Sequence, residues 1–163
     1  MLSKAMIDKM NDQIKNELYS AYLYLSMCAY FEDKDLPGFA HWMKIQAGEE
    51  QEHAMKFFEY LTDRGARVSL QAIDQPPAEF ETPTAVFEET LAHEKKVTAL
   101  IHSLYELAVS EKDYASQEFL NWFVKEQVEE EKNASAILAT LKMTGDKGSA
   151  LVMLDRELGK RDE

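Results

Sequence analysis

Cysteine, proline, glycine and long apolar runs are all scarce in this chain, and each shortage closes a class of answers. There is one cysteine, Cys28, in 163 residues, so an intrachain disulfide is impossible. It falls on the inward stripe of the first expected helix, where a buried, inert thiol is expected. No apolar run approaches the ~20 residues that a membrane-spanning helix needs. The start, MLSKAMIDKMNDQ, turns polar within a few residues and shows no leader pattern. With a single cysteine, this points to the cytoplasm. Basic residues are outnumbered 18 to 30, for a formal net charge of -12. No basic stretch is present to neutralise phosphates, so nucleic acid is not an expected partner. An acidic field instead attracts cations. Runs of β-branched residues are also missing, which leaves helix as the dominant period.

What remains is 45% hydrophobic and long enough for one real core. A single domain over 1–163 is expected, with a bundle over about 4–143 and a short helix over about 147–158. Ser3 is suited to cap a first helix running to about residue 33. DKDLPGF makes a short turn, with Pro37 opening the second helix. That helix ends near Arg64, with Gly65 just past its end. Thr82 or Thr84, around Pro83, opens the third helix. Lys112-Asp113 breaks it from a fourth, which runs to about Met143. Gly145 and Gly148 bracket a second break. The fifth helix carries Leu151, Leu154 and Leu158 on one side.

Three of the four prolines, Pro76, Pro77 and Pro83, fall in the one long connection. Irregular connections of that length are uncommon in compact domains. A helix of ~28 residues is ~42 Å long, and ~18 extended residues reach ~60 Å. The connection is therefore long enough to run the length of the bundle. The second and third helices would then be parallel, giving an all-α four-helix bundle with one crossover.

Each long helix carries a stripe of apolar residues at 3-4 spacing, and each stripe is interrupted near its middle. The first reads Met10, Ile14, Glu17, Ala21, Tyr24, Cys28, Phe31. The second reads Met43, Ala47, Glu50, Ala54, Phe57, Leu61. The third reads Phe87, Leu91, Glu94, Thr98, Ile101, Tyr105, Ala108. The fourth reads Leu120, Phe123, Gln127, Glu130, Ala134, Ile137, Leu141. A carboxylate withdrawn from water costs several kcal/mol unless it is compensated. Four at one level need a shared cation. His53, three residues after Glu50, adds an imidazole on the same face. Carboxylates with imidazole in a bundle core describe a di-iron or di-manganese site.

ELYSAYLY around Glu17, EEQEH at 49–53, HE at 93–94, FLNWFVKEQVEEE at 119–131 and LDRELG at 154–159 resemble the non-haem prokaryotic ferritins. The likeness spans nearly the whole chain, including the crossover. It implies Glu17, Glu50 and His53 on a first iron. Glu50 would bridge to a second iron, held also by Glu94 and Glu130, with Gln127 beside it. It implies a third iron site at Glu49, Glu126, Glu129 and Glu130, and Tyr24 and Trp122 as aromatics able to supply electrons. It also implies a homo-oligomeric shell of twenty-four subunits that oxidises Fe(II) with O₂ or hydrogen peroxide and stores ferric mineral.

Departures from relatives refine the expectation. Gln127-x-x-Glu130 stands where bacterioferritins carry a second Glu-x-x-His. Gln51 stands where they place a haem-ligating methionine, so haem is not expected. No rubredoxin-like cysteine pairs accompany the bundle, which excludes a complete rubrerythrin. His41, His93 and His102 have no Glu-x-x-His partner and read as surface or packing residues. Two rival functions remain: a soluble di-iron peroxidase or oxygenase acting on an organic substrate, and a DNA-protecting mini-ferritin-like shell. The first needs a pocket beside the metals, where Tyr24, Phe57 and Trp122 are bulky. The second places its ligands between subunits and often adds a basic tail, whereas all ligands here lie in one chain and LGKRDE is mixed in charge.

Overall fold

The computed structural model describes residues 1–162; Glu163, the last residue of the expected domain, lies outside the described residues. Five helices follow one another: α1 (Lys4–Asp33), α2 (Pro37–Asp63), α3 (Pro83–Ser110), α4 (Tyr114–Thr144) and α5 (Ser149–Leu158). Their ends follow local chemistry. Ser3 Oγ accepts from the Met6 N–H at 3.0 Å and starts α1. At α3 the cap is Thr82, which accepts from the Ala85 N–H at 3.0 Å. Thr84 is used otherwise, donating its hydroxyl to Asp146 at 2.8 Å. Asp113 caps α4 through the Ser116 N–H at 3.2 Å. Gly65 ends α2 in the left-handed region at φ 70°, which an L side chain resists.

Contacts at the helix ends fix the topology. Ser3 donates to Glu111 at 2.7 Å, so the start of α1 meets the end of α3. Arg64 pairs with Asp113 at 3.2 Å, so the end of α2 meets the start of α4. Thr84 meets Asp146, so the start of α3 lies at the end of α4. The crossover runs along α1: its Ser69 N–H reaches Asn11 at 2.8 Å, its Pro77 carbonyl accepts from Ser26 at 2.5 Å, and Phe80 packs edge-on to Tyr30 at 5.4 Å. α2 and α3 therefore begin at the same end and run parallel, as the length of the connection implies.

The core is divided by a polar layer. One apolar cluster includes Met27, Phe31, Phe39, Met43 and Phe87; the other includes Met10, Ile14, Phe57, Ile101 and Phe123. A fully buried side chain of this size contributes roughly 1.5–3 kcal/mol, so two such clusters can hold buried carboxylates between them. The stripes of α1 and α2 are buried as read, with Cys28 half-buried. On α3 the register differs. Val86, Thr90, Val97 and Leu104 are buried, while Leu91, Thr98 and Tyr105 are half-buried. This helix packs against both α1 and α4, so its buried arc turns toward the pair. Glu94, Ile101 and Ala108, seven residues apart, belong to both stripes. On α4 the buried residue beyond Ala134 is Leu138, and Ile137 is half-buried.

The short α5 lays Leu151 and Leu158 against the bundle. Its Asp155 accepts from the backbone N–H groups of Gly38 and Phe39 at 2.9 and 3.0 Å. α2 has no side-chain cap of its own, so α5 supplies one.

Candidate metal centre

Glu17, Glu50, Glu94 and Glu130 come from four different helices and meet in the polar layer, with His53 and Gln127. None of the six is more than 4% exposed. One donor atom each from Glu17, Glu50 and His53 lies within 4.8 Å of the others. The same holds for Glu50, Glu94 and Glu130, and for His53, Glu126 and Glu130. Metal–oxygen bonds of ~2.1 Å place donors up to ~4.2 Å apart, so each group is on the scale of a single ion's ligands. Glu50 belongs to two groups, the position of a bridging carboxylate. Glu130 and His53 are also shared.

Amides and a phenol hold the carboxylates in place. Gln13 donates to Glu17 at 2.8 Å. Gln46 donates to Glu130 at 2.7 Å and to Glu50 at 3.3 Å. Gln127 donates to the Glu94 carboxylate at 3.1 Å, and the Tyr24 hydroxyl donates to the other oxygen of Glu94. His53 Nδ1 is 3.3 Å from Glu50. One buried oxygen, Oε2 of Glu17, has no hydrogen-bond partner among the described residues. A buried oxygen of this kind is costly. Hard oxygen donors with one imidazole suit iron or manganese, so this donor set fits a cation at the orphaned oxygen.

Burial and mutual repulsion favour the protonated form of these carboxyls. Burial, then the charge of Glu50, raises Glu17 well above the usual range. Burial, then Glu94 and Glu130, does the same to Glu50. Burial raises Glu94 against the opposing hydrogen bonds from Tyr24 and Gln127. Burial and the charge of Glu94 push Glu130 up to about 8. Tyr24 is raised well above its normal value by burial and by the charge of Glu94. Desolvation dominates in every case.

The expected third iron site is divided. Glu126 is half-buried and joins His53 and Glu130. Glu129 is exposed, 3.9 Å from Lys132. Glu49 is bound by Arg161 at 2.6 Å. Neither Glu49 nor Glu129 joins a three-donor group among the described residues. Tyr24 is fully buried beside Glu94, while Trp122 is 40% exposed, edge-on to His53 at 5.3 Å and under Lys56 Nζ at 4.8 Å. Burial raises the Cys28 thiol, which suits an unreactive side chain. His93 packs edge-on to Tyr24 at 5.9 Å and lies 2.7 Å from Ser20 Oγ; burial and Lys96 push it down to about 4, so it stays neutral.

Three residues of the centre escape the stripe pattern: Gln13, Gln46 and Arg161. The glutamines left a signal, since QIKNE at 13–17 and QAGEE at 46–50 place an amide one turn before each inward glutamate.

Residues 7–144 match the ferritin-like domain family. A bacterial non-heme ferritin of Bacteroides fragilis is 43% identical over 161 residues, covering 99% of this chain and all of the relative. One of Staphylococcus aureus is 38% identical, covering 99% of this chain and 97% of its own length. The chain belongs to the ferritin family. Among solved structures, the open pore ferritin of the hyperthermophilic archaeon Archaeoglobus fulgidus superposes with a TM-score of 0.98 at 48% identity, covering 99% of this chain and 100% of that one. A structure described as a humanized archaeal ferritin matches with the same score and identity. The ferritin match extends through α5 and the crossover. No helix among the described residues is long and apolar enough to cross a membrane.

Proposed function

We propose that the chain is an iron-storage ferritin subunit whose polar layer is a ferroxidase centre. The observation that carries this reading is the pair of donor groups sharing Glu50, one with Glu17 and His53, the other with Glu94 and Glu130. Two Fe(II) ions are the substrate, one per group. Each loses one electron. O₂ takes both electrons and two protons and leaves as hydrogen peroxide. Alternatively, hydrogen peroxide takes both electrons and two protons and leaves as two waters.

The residues divide the work. Glu17, Glu50 and His53 bind the first ion, and Glu50, Glu94 and Glu130 the second, with Glu126 and His53 at the side facing a third cation. Carboxylate charge lowers the cost of Fe(III) relative to Fe(II). The raised carboxyls give up protons as Fe(II) binds, and those protons are available to reduced oxygen. Gln127 is neutral and turned toward Glu94, so it positions that carboxylate. Tyr24, hydrogen-bonded to Glu94, and Trp122, beside His53, would each supply one further electron where O₂ is reduced past hydrogen peroxide: with the two from iron and four protons in all, it leaves as two waters. The product enters a hollow shell of identical subunits, twenty-four by the family's rule, in the cytoplasm.

Aerobic addition of Fe(II), followed by size-exclusion chromatography with iron detection, tests this reading. Iron co-eluting with a very large particle is the expected result. Iron precipitating outside the protein, with no oxidation faster than in buffer, would refute it.

A further inference from the structure

The C-terminal tail reaches back to the centre. The Arg161 guanidinium donates to Glu49 at 2.6 Å, to Gln46 Oε1 at 3.0 Å and to the Trp42 carbonyl at 3.3 Å. It also lies over the Trp42 ring, 4.5 Å from its centroid. Its own carbonyl is 2.8 Å from His41 Nε2. The side chain is only 19% exposed. A surface ion pair between flexible side chains is worth little, but an arginine fixed by three acceptors and a ring is a seated cation.

Two consequences reach the centre. Arginine carries donors only, so Gln46 must turn Oε1 toward it and Nε2 toward Glu130 and Glu50. Glu49 lies on α2 one residue before Glu50, and its charge adds a minor share to the rise of Glu130. Its carboxylate is held by the tail and joins no three-donor group among the described residues. An open groove along α2, lined by His41, Lys44, Gly48 and Glu52, runs past this ion pair to solvent.

We propose that Arg161 is a positioning residue for the iron centre: it occupies the cation position at Glu49 and sets the Gln46 amide until a third divalent cation displaces it. This rests on the ferroxidase reading above. The guanidinium is a cation hydrogen-bonded to the Glu49 carboxylate, so it competes with any other cation for Glu49. When a cation takes Glu49, the tail leaves Trp42, and Gln46 is free to rotate. Loading of the third position and release of the tail are then one event.

The test is calorimetric titration of the metal-free assembled protein with Zn²⁺, in wild type, Arg161→Ala and Glu49→Ala. Trp42 emission is followed in parallel in a Trp122→Phe background. Two equivalents per chain are expected to bind alike in wild type and Arg161→Ala. The third should bind about tenfold more tightly in Arg161→Ala, or be detectable there alone, as expected for removal of a seated competing charge. Trp42 emission should change only with the third equivalent, and Glu49→Ala should abolish that response. Two equivalents with an unchanged or absent third in Arg161→Ala, or Trp42 emission that responds to the first two, would overturn the role of Arg161 alone. Failure of wild type to bind the first two would overturn the ferroxidase reading and this proposal with it.

Discussion

Asp155 and Gly38 touch so closely that only a glycine fits. The Asp155 carboxylate accepts the Gly38 N–H at 2.9 Å, and a Cβ on Gly38 would stand 1.6 Å from the Asp155 backbone carbonyl oxygen. The obstructing atom is backbone, so it cannot swing aside. Gly38→Ala should therefore undock α5 and cost about 1–3 kcal/mol of local stability. Tryptic cleavage at Arg156 or Lys160 should accelerate by about tenfold or more, while bundle helicity persists. Asp155→Ala keeps the space and loses only the cap, at about 1 kcal/mol. Cleavage unchanged in both variants would show that α5 is not held by this contact.

Glu50→Ala and His53→Ala should each slow the fast phase of Fe(II) oxidation by more than about tenfold. Assembly should be intact, because both residues point into the polar layer of one chain and are at most 4% exposed. Stopped-flow absorbance with size-exclusion chromatography separates the two effects. A wild-type fast phase in either variant would remove the centre from this layer.

Around the third position, Glu126 and Glu129 should separate, although both belong to the same acidic run. Glu126 lies with His53 and Glu130, whereas Glu129 is solvated beside Lys132. Glu126→Ala is expected to change the O₂ consumed per iron and slow repeated turnover several-fold. Glu129→Ala should change both by less than about twofold. On α4 itself, Gln127→Ala should cost less activity than Glu130→Ala, since only Glu130 brings charge. Oximetry with successive iron additions gives both comparisons; equal effects within either pair would contradict the assignment.

Much of this architecture was legible because the signals are local. Ser3, Pro37, Gly65 and Asp113 punctuate the helices within a turn of the observed ends. The inward glutamates stand out because apolar neighbours surround them. The α3 stripe departs from the buried face at Leu91, Thr98 and Tyr105 because two helices pack on α3, and a single-stripe template fits one partner. Gln13 and Gln46 could have been found from the repeated Gln-x-x-x-Glu spacing. Arg161 could not, because 112 residues separate it from Glu49 and no period connects them. The division of Glu49, Glu126 and Glu129 likewise depends on which cation, lysine, arginine or metal, reaches each carboxylate first.

The metal-free centre should weaken the fold as pH rises, and Glu17 is the place to relieve it. Glu17, Glu50, Glu94 and Glu130 all have folded pKa values above their ordinary ones, Glu130 reaching about 8. A raised carboxyl means that the folded state binds more protons than the unfolded state. Its stabilising share is fully present below the ordinary value of about 4.5 and is lost as pH rises toward the folded value. Stability of chelator-treated protein should thus fall between about pH 4.5 and 8, by an amount on the order of a few kcal/mol. Glu17→Gln keeps the acceptor for Gln13 and puts an N–H₂ at the orphaned Oε2, in the group shared with Glu50 and His53. It removes one buried charge without leaving a gap, so it should stabilise the metal-free protein by about 1–3 kcal/mol at pH 8. The advantage should vanish near pH 4, where Glu17 is protonated anyway. Zn²⁺ should reverse the order. Binding only the native state, it should raise the melting temperature of wild type by mass action and release protons. Glu17→Gln, with a donor lost from the first group, should gain less. Thermal unfolding at pH 4, 6 and 8, with and without Zn²⁺, measures all of this. A metal-free Glu17→Gln less stable than wild type at pH 8, or a wild type indifferent to Zn²⁺, would mean that the four carboxylates do not share one field.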